Sequence, residues 1–460
     1  MQPTSPTVHS MAKETGALVL LFAVACIPSV GRAIALVILV VMAFGPPTRT
    51  FKCLVAGAIV TFITLTAVKS FDSGLLSFGP KWILLFAVCA RSLVAEGRPS
   101  KIYGHLMNYW ALLTGVLVIN SLFVSALPMV SAFKSISFSM GLLCVIRLAM
   151  LTADQNTGML LFISEMGTAV VILSIPLLPL SIGWSEFGGA YFNGIFDHPQ
   201  ALGIFLVMTG AASFVTAFKL PHLQRELTVC GLAQWSLIYF THCRTALVAV
   251  LLGGIVYAVE VIIRGGKSSR LRFVSIFSIV ISVLGITLAL MLSSNLREGL
   301  ALFIRKGNVE SFASNEERIA ALSTGTRGGQ IANDLDVIEE HPMLGYGFGV
   351  SPDSETFQDP DSSHLWGMPL SAPIEQGFLP LATIAQIGVV GALFIVPFLF
   401  SMYLSARRNS PEDAGLFVAV IGVNFGEMIF FSFGSMGGLV WVMLVFLAVS
   451  GSMYRSKPEY

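Results

Sequence analysis

"FLPLATIAQIGVVGALFIVPFLFSM", residues 378–402, runs for 25 positions without a charged side chain. Crossing the hydrocarbon layer of a bilayer takes roughly 20 apolar helical residues. No water is available there for backbone N–H and C=O groups, and a helix closes those bonds within itself. Comparable runs cover approximately 15–29, 32–45, 51–69, 81–96, 105–125, 135–151, 158–179, 200–218, 227–242, 244–263, 273–292, 415–432 and 434–452. Across 460 residues, 55% are hydrophobic, 12% are charged and the mean hydropathy is +0.80, so one water-soluble core cannot hold the apolar side chains. The expected fold class is all-α: a polytopic transmembrane helical protein of about 12–14 spans.

A net charge of +1 without a basic cluster interleaved with aromatics gives no support for nucleic-acid binding. The six cysteines lie in or beside apolar runs and form no C-x-x-C pair, which speaks against a disulfide framework or a metal site. Only Lys13 is positive before the first run, and no small-residue cleavage pattern follows, so an uncleaved first helix is expected. If the N-terminus is cytoplasmic, the inner loops and tails carry 17 Lys and Arg. The short outer loops carry five: Arg32, Lys69, Lys81, Lys134 and Arg244. Positive flanks stay in the cytoplasm, so both termini are expected inside.

Residues 293–372 break the apolar pattern and fall outside under this topology. The chain therefore divides into transmembrane helices over 1–292, a large outer loop over 293–372 and C-terminal transmembrane helices over 373–460. A polar stretch of that length is either disordered or a functional subdomain, and its sequence favours the second. In "STGTRGGQIANDLDVIEEHP", Ile331, Leu335 and Ile338 recur at helical spacing until Pro342 stops the pattern. An amphipathic helix is thus expected from near Arg327 to His341, followed by "MLGYGFGV" with Gly345, Gly347 and Gly349.

Three polar clusters meet the outer face. "YFNGIFDHPQALG" carries Asp197 and His198, "THCRTALVAV" carries Arg244 in a tight turn, and the loop with its return to the membrane carries Arg327, His341, His364, Glu375 and Gln376. Ionisable groups at a membrane boundary mark function by default, although an interfacial arginine also snorkels to headgroups. Arg327 at a helix start joins a guanidinium to free N–H groups that favour anions. Histidines before proline often cap backbone, and the three glycines suit either close ligand approach or a tight turn. Without a Lys-Ser pair the glycines form no P-loop. Asp359-Pro-Asp361 superficially matches the metal-binding D-x-D of nucleotide-sugar transferases, which an outer compartment lacking nucleotide sugars disfavours.

In order, "FNGIFDHPQALG", "THCRTAL", "TGTRGGQIANDLDVIEEHPMLGYGFG" and "EQGFLPLATIAQIGVVGALF" resemble the O-antigen ligase and O-antigen polymerase superfamily of bacterial envelope polysaccharide assembly, most strongly over residues 185–405. The resemblance implies an inner-membrane glycosyltransferase that moves a glycan from undecaprenyl diphosphate to an acceptor hydroxyl, with neither metal nor cofactor. It also implies that Arg244 and Arg327 bind the diphosphate and that His198, His341, Gly345, Gly347, Gly349 and Gln376 line the substrate. Family members usually carry a His-Asn pair where this chain returns to the membrane, whereas the sequence here reads Glu375-Gln376. Glu375 is then the expected base, with His364 as the alternative.

The leading expectation is a polymerase of lipid-linked repeat units in surface or exopolysaccharide biosynthesis, working with a chain-length regulator and a flippase. The alternatives are a ligase or related oligosaccharyltransferase that moves the glycan to lipid A core or protein and, more distantly, a glycolipid transporter. Transporters place charges near the bilayer midplane in interrupted spans, while the charges here collect at one boundary.

Overall fold

The computed structural model describes residues 6–63 except 29, 74–95, 101–185 except 126, 191–264, 334–350, the pairs 364–365 and 368–369, and 379–453 except 427–428, 432 and 434–435. Within these the chain is a helical array: α1 (Val8–Ala25), α2 (Gly31–Ala43), α3 (Pro47–Val60), α4 (Gly74–Val94), α5 (Lys101–Phe123), α6 (Pro128–Leu151), α7 (Asn156–Ser174), α8 (Pro199–Lys219), α9 (Gln224–Thr241), α10 (Arg244–Ile263), α11 (Leu379–Asn409), α12 (Pro411–Gly422) and α13 (Met436–Met453). Two antiparallel ribbons of two residues per strand, Trp184–Ser185 with Tyr191–Phe192 and His364–Leu365 with Met368–Pro369, are the strands among the described residues.

Seven described helices are long and apolar enough to cross a membrane: those containing Val8–Ala25, Gly104–Phe123, Pro128–Leu151, Thr157–Leu177, Pro199–Lys219, Arg244–Ile263 and Leu379–Asn409. This makes the protein a multi-pass membrane protein. Expected spans 32–45, 51–69 and 415–432 shrink to α2 (13 residues), α3 (14 residues) and α12 (12 residues). Each stops where the chain turns: α2 at Phe44-Gly45 before Pro46-Pro47, α3 at the turn of Thr61 and Phe62, and α12 at a 3-10 turn over Val423–Phe425. The span expected at 273–292 lies outside the described residues.

Helix ends follow local chemistry. Thr7 and Ser10 form a capping box that starts α1 seven residues before the apolar run. Ser410 caps α12 by accepting from the Asp413 N–H, with Pro411 in the first turn. Packing then follows small residues, because lipid offers no hydrophobic drive between helices and close approach must supply the contact. A Cβ on Gly253 of α10 would stand 2.8 Å from the Gly415 carbonyl oxygen, and one on Gly422 would stand 3.1 Å from the Ala249 Cα. Lys219 on α8 pairs with buried Asp413 on α12 at 2.7 Å, and Arg407 on α11 pairs with buried Glu260 on α10 at 2.6 Å. Inside the bundle, Trp441 of α13 stacks near Phe430 (4.4 Å between centroids) and Phe138 (5.5 Å), and its Nε1 donates to the Phe430 carbonyl at 2.8 Å.

Candidate functional site

α11 is two helical segments joined across a kink. Gly388 takes φ 65° and ψ −177°, which interrupts the helical ladder between 379–387 and 389–409. A break inside an apolar span leaves amides and carbonyls that must be satisfied by protein, and the segment 342–349 does this. The Val389 N–H donates to the Pro342 carbonyl at 3.0 Å and the Val390 N–H to that of Met343 at 3.1 Å. In return the Tyr346 N–H donates to the Ala385 carbonyl at 2.8 Å and the Gly347 N–H to that of Gln386 at 3.0 Å. The Gly349 N–H donates to Gln386 Oε1 at 2.8 Å.

Helices α5 and α6 clamp the same turn from the other side. Asn120 Nδ2 donates to the Leu344 carbonyl at 2.5 Å, and its Oδ1 accepts from the Phe348 N–H at 2.9 Å. Ser131 donates to the Phe348 carbonyl at 2.8 Å and Lys134 Nζ to that of Gly349 at 2.5 Å. The glycine series is therefore a plug of the membrane body. Gly345, Gly347 and Gly349 have φ of 70°, 128° and 69°. Cβ atoms there would meet the Gln386 backbone at 2.5 Å, Ser125 Oγ at 2.5 Å and Lys134 Cδ at 2.7 Å. These positions demand glycine for left-handed backbone and for close packing against protein.

The loop helix ends where the sequence places its end, since residues 334–340 are helical and His341 donates back to the Val337 carbonyl at 2.8 Å. Its start near Arg327 lies outside the described residues. The buried face differs from the expected one: Asp334 and Val337 are buried while Leu335 is exposed. The anchored turn that follows fixes the rotation of this short helix, overriding its apolar stripe. Burial pushes the Asp334 carboxyl up to about 6, because its charged form loses water. His341 is exposed, with its ring 6.3 Å from that of Tyr346.

One end of the bundle gathers the other polar residues. Phe196 bridges Ile63 just beyond α3, and the Asp197 N–H donates to the Phe62 carbonyl at 3.0 Å. Arg32, at the start of α2, reaches the Thr61 carbonyl at 3.5 Å and faces Asp197 electrostatically. Lys81 is near enough to Arg32 for their charges to interact, and it lies over the Trp82 ring. Trp82 in turn meets Phe133, next to Lys134, at 5.4 Å. On the far side the Tyr191 ring lies 5.2 Å from His242, which takes left-handed φ 51° in the turn that places Arg244 as the first residue of α10. Partial burial and the neighbouring Arg244 charge lower the His242 pKa. His198 caps α8, its Nδ1 accepting from the Gln200 N–H at 3.2 Å.

Arg244, Asp197 and His198 thus share one end of the molecule with the anchored turn. Arg327, Glu375 and Gln376 lie outside the described residues, as does the His364 side chain, whose backbone begins a ribbon strand. Arg32, Lys81 and Lys134 enter the sequence reading only as topology charges, although Lys81 opens an apolar run and Lys134 immediately precedes one, a boundary placement that is a signal of function in itself. Gln386 and Gly388, two apart in an uncharged span, were equally legible as a break. The sequence matches no protein-family model and no curated protein.

Proposed function

We propose that this protein is a glycosyltransferase of the bacterial cytoplasmic membrane that polymerises polyprenyl-diphosphate-linked repeat units of a surface polysaccharide on the outer face. The observation that carries the reading is the collection of Arg32, Lys81, Lys134 and Arg244 at one end of the bundle, around Asp197 and His198 and beside the docked loop turn. A lipid-linked diphosphate is a multiply charged anion at the depth where such cations stand. The order of sequence motifs resembling O-antigen polymerases and ligases supports the same chemistry.

In this reading an acceptor sugar hydroxyl attacks the anomeric carbon of the donor glycan. The new glycosidic C–O bond forms as the bond to the diphosphate oxygen breaks, and the diphosphate leaves with the electron pair. Arg244 and Arg327 stabilise that charge as fixed cations in a partly desolvated place. Glu375 accepts the hydroxyl proton, a task for which a half-dry carboxylate is suited, and His364 is the alternative base. The glycine turn docks against the membrane body, and the reading requires Arg327 of the loop before it to act on the same ligand as Arg244.

The test supplies purified protein in bilayers with a synthetic polyprenyl-diphosphate oligosaccharide and reads glycan length and released polyprenyl diphosphate. Longer glycan with stoichiometric release is expected, and it should persist with chelator present. Arg244→Lys and Arg327→Lys retain charge but lose the planar fork that grips two phosphate oxygens, so each should fold and lose most transfer. Glycolipid crossing the bilayer with its phosphate–sugar bond intact would replace the enzyme reading with transport. Transfer only to a lipid A core or peptide acceptor would replace polymerase with ligase.

A further inference from the structure

At the opposite end of the bundle from these cations, a cavity of about 590 Å³ opens between α1, α2, α3 and α7. Its walls are Ala17, Leu21 and Val24 of α1, Ile38 and Met42 of α2 and Phe162 of α7, and its polar end holds Glu14, Arg49 and Lys52. That this end is remote from the candidate site follows from α3, which begins at Pro47 beside Arg49 and finishes at Val60, next to the Thr61 carbonyl that meets Arg32.

We propose that this cavity binds one anionic phospholipid of that leaflet, with an acyl chain along α1 and α2 and the phosphate at Arg49 and Lys52. Length is the first argument. From Glu14 to Val24 the α1 wall rises about 15 Å at 1.5 Å per residue, half of a hydrocarbon core about 30 Å thick, so the groove reaches from one boundary to the midplane. Charge is the second. Glu14 pairs with Lys52, whose Nζ also lies 4.8 Å above the Phe162 ring centroid, while Arg49 is exposed and has no hydrogen bond or ion pair among the described residues. Glu14, Arg49 and Lys52 together leave one positive charge, which matches the single negative charge of a phosphodiester. In the first turn of α3 the Thr48 and Arg49 N–H groups add to this, Pro46 and Pro47 having none and Thr50 bonding back to the Pro46 carbonyl. Glu165 of α7 interacts with Glu14 and Lys52 but does not line the cavity, and both of its carboxylate oxygens are shielded.

The experiment incorporates the full chain in vesicles of equal phosphatidylglycerol and phosphatidylethanolamine, extracts it in detergent, and identifies retained lipid by native mass spectrometry. One retained phosphatidylglycerol per chain is expected, with retention falling at least tenfold in Arg49→Gln. Ala17→Trp, placed on an exposed position of the groove wall, should abolish retention with every charge in place. Arg225→Gln removes an exposed charge from the same end of the bundle and should retain lipid as wild type does, with matching size-exclusion profiles certifying the fold of all three variants. Equal retention of both lipids, an Arg225→Gln loss equal to that of Arg49→Gln, or full retention in Ala17→Trp would overturn the proposal. So would competition by soluble glycerol phosphate as effective as that by the lipid.

Discussion

Gly388 holds a backbone conformation inside a helix that glycine alone adopts at little cost. Its φ of 65° is open to glycine and disfavoured for other residues, and a Cβ there would stand 2.2 Å from the Met343 carbonyl oxygen. Gly388→Ala is therefore expected to cost about 1–3 kcal/mol from backbone strain alone, and more if the plug must withdraw. Thermal-shift measurement in detergent should show the loss, and a wild-type melting temperature would refute the account of the break. The base poses a different question of single residues. Glu375→Gln keeps shape and removes basicity, so glycan transfer should drop about a hundredfold or more if Glu375 takes the proton. If His364 is the base, His364→Ala should show that drop while Glu375→Gln keeps much of its activity. Chain-length analysis at matched membrane levels distinguishes the two, and normal product from the double variant would leave neither as base.

The short helix 334–340 shows how an element can be legible in type and not in orientation. Its end at His341-Pro342 is written in the sequence, whereas its rotation comes from the anchored turn that follows, which buries Asp334 in place of Leu335. This has a pH consequence. The Asp334 carboxyl is held at about 6 when folded, above its ordinary value of 3.8, so between those values the docked helix binds more protons than the undocked one. Docking stability is full at the acid end of that window and declines as pH rises through about 6. Hydrogen exchange of the 334–340 amides, corrected for intrinsic rates, should accordingly be slower at pH 5 than at pH 7. Asp334→Asn should remove the difference and raise protection at pH 7, and an unchanged pH dependence in that variant would count against the burial argument. Asn120 plays the matching part on α5: truncating it to Ala would leave the buried Phe348 N–H without its partner, at about 1–3 kcal/mol.

At the scale of the whole molecule, the charge bias predicts sidedness. Reporter fusions after Gly307 and Asp353 should be active outside the cytoplasm, and fusions after Lys267 and Ser410 inside; an inside result at Asp353 would remove the basis for lipid-linked transfer on the outer face. The membrane class and the helical type are properties of the sequence alone, because side-chain hydrophobicity is summed locally and an apolar run such as 378–402 has no alternative that satisfies its backbone in lipid. The same local logic marks the end of the loop helix and the glycines of the turn. Tertiary structure decided what local sums cannot reach. Runs of similar hydropathy became full spans in some places and helices of 12–14 residues in others, according to where the chain turns. Gly345, Gly347 and Gly349 pack against Gln386, Ser125 and Lys134, since the partner of a glycine is whatever another segment brings to it. Arg32, Lys81, Lys134 and Arg244, up to about 200 positions apart in the chain, came to share one end of the bundle because alternating helices return the chain to the same boundary, a convergence that no single stretch of sequence contains.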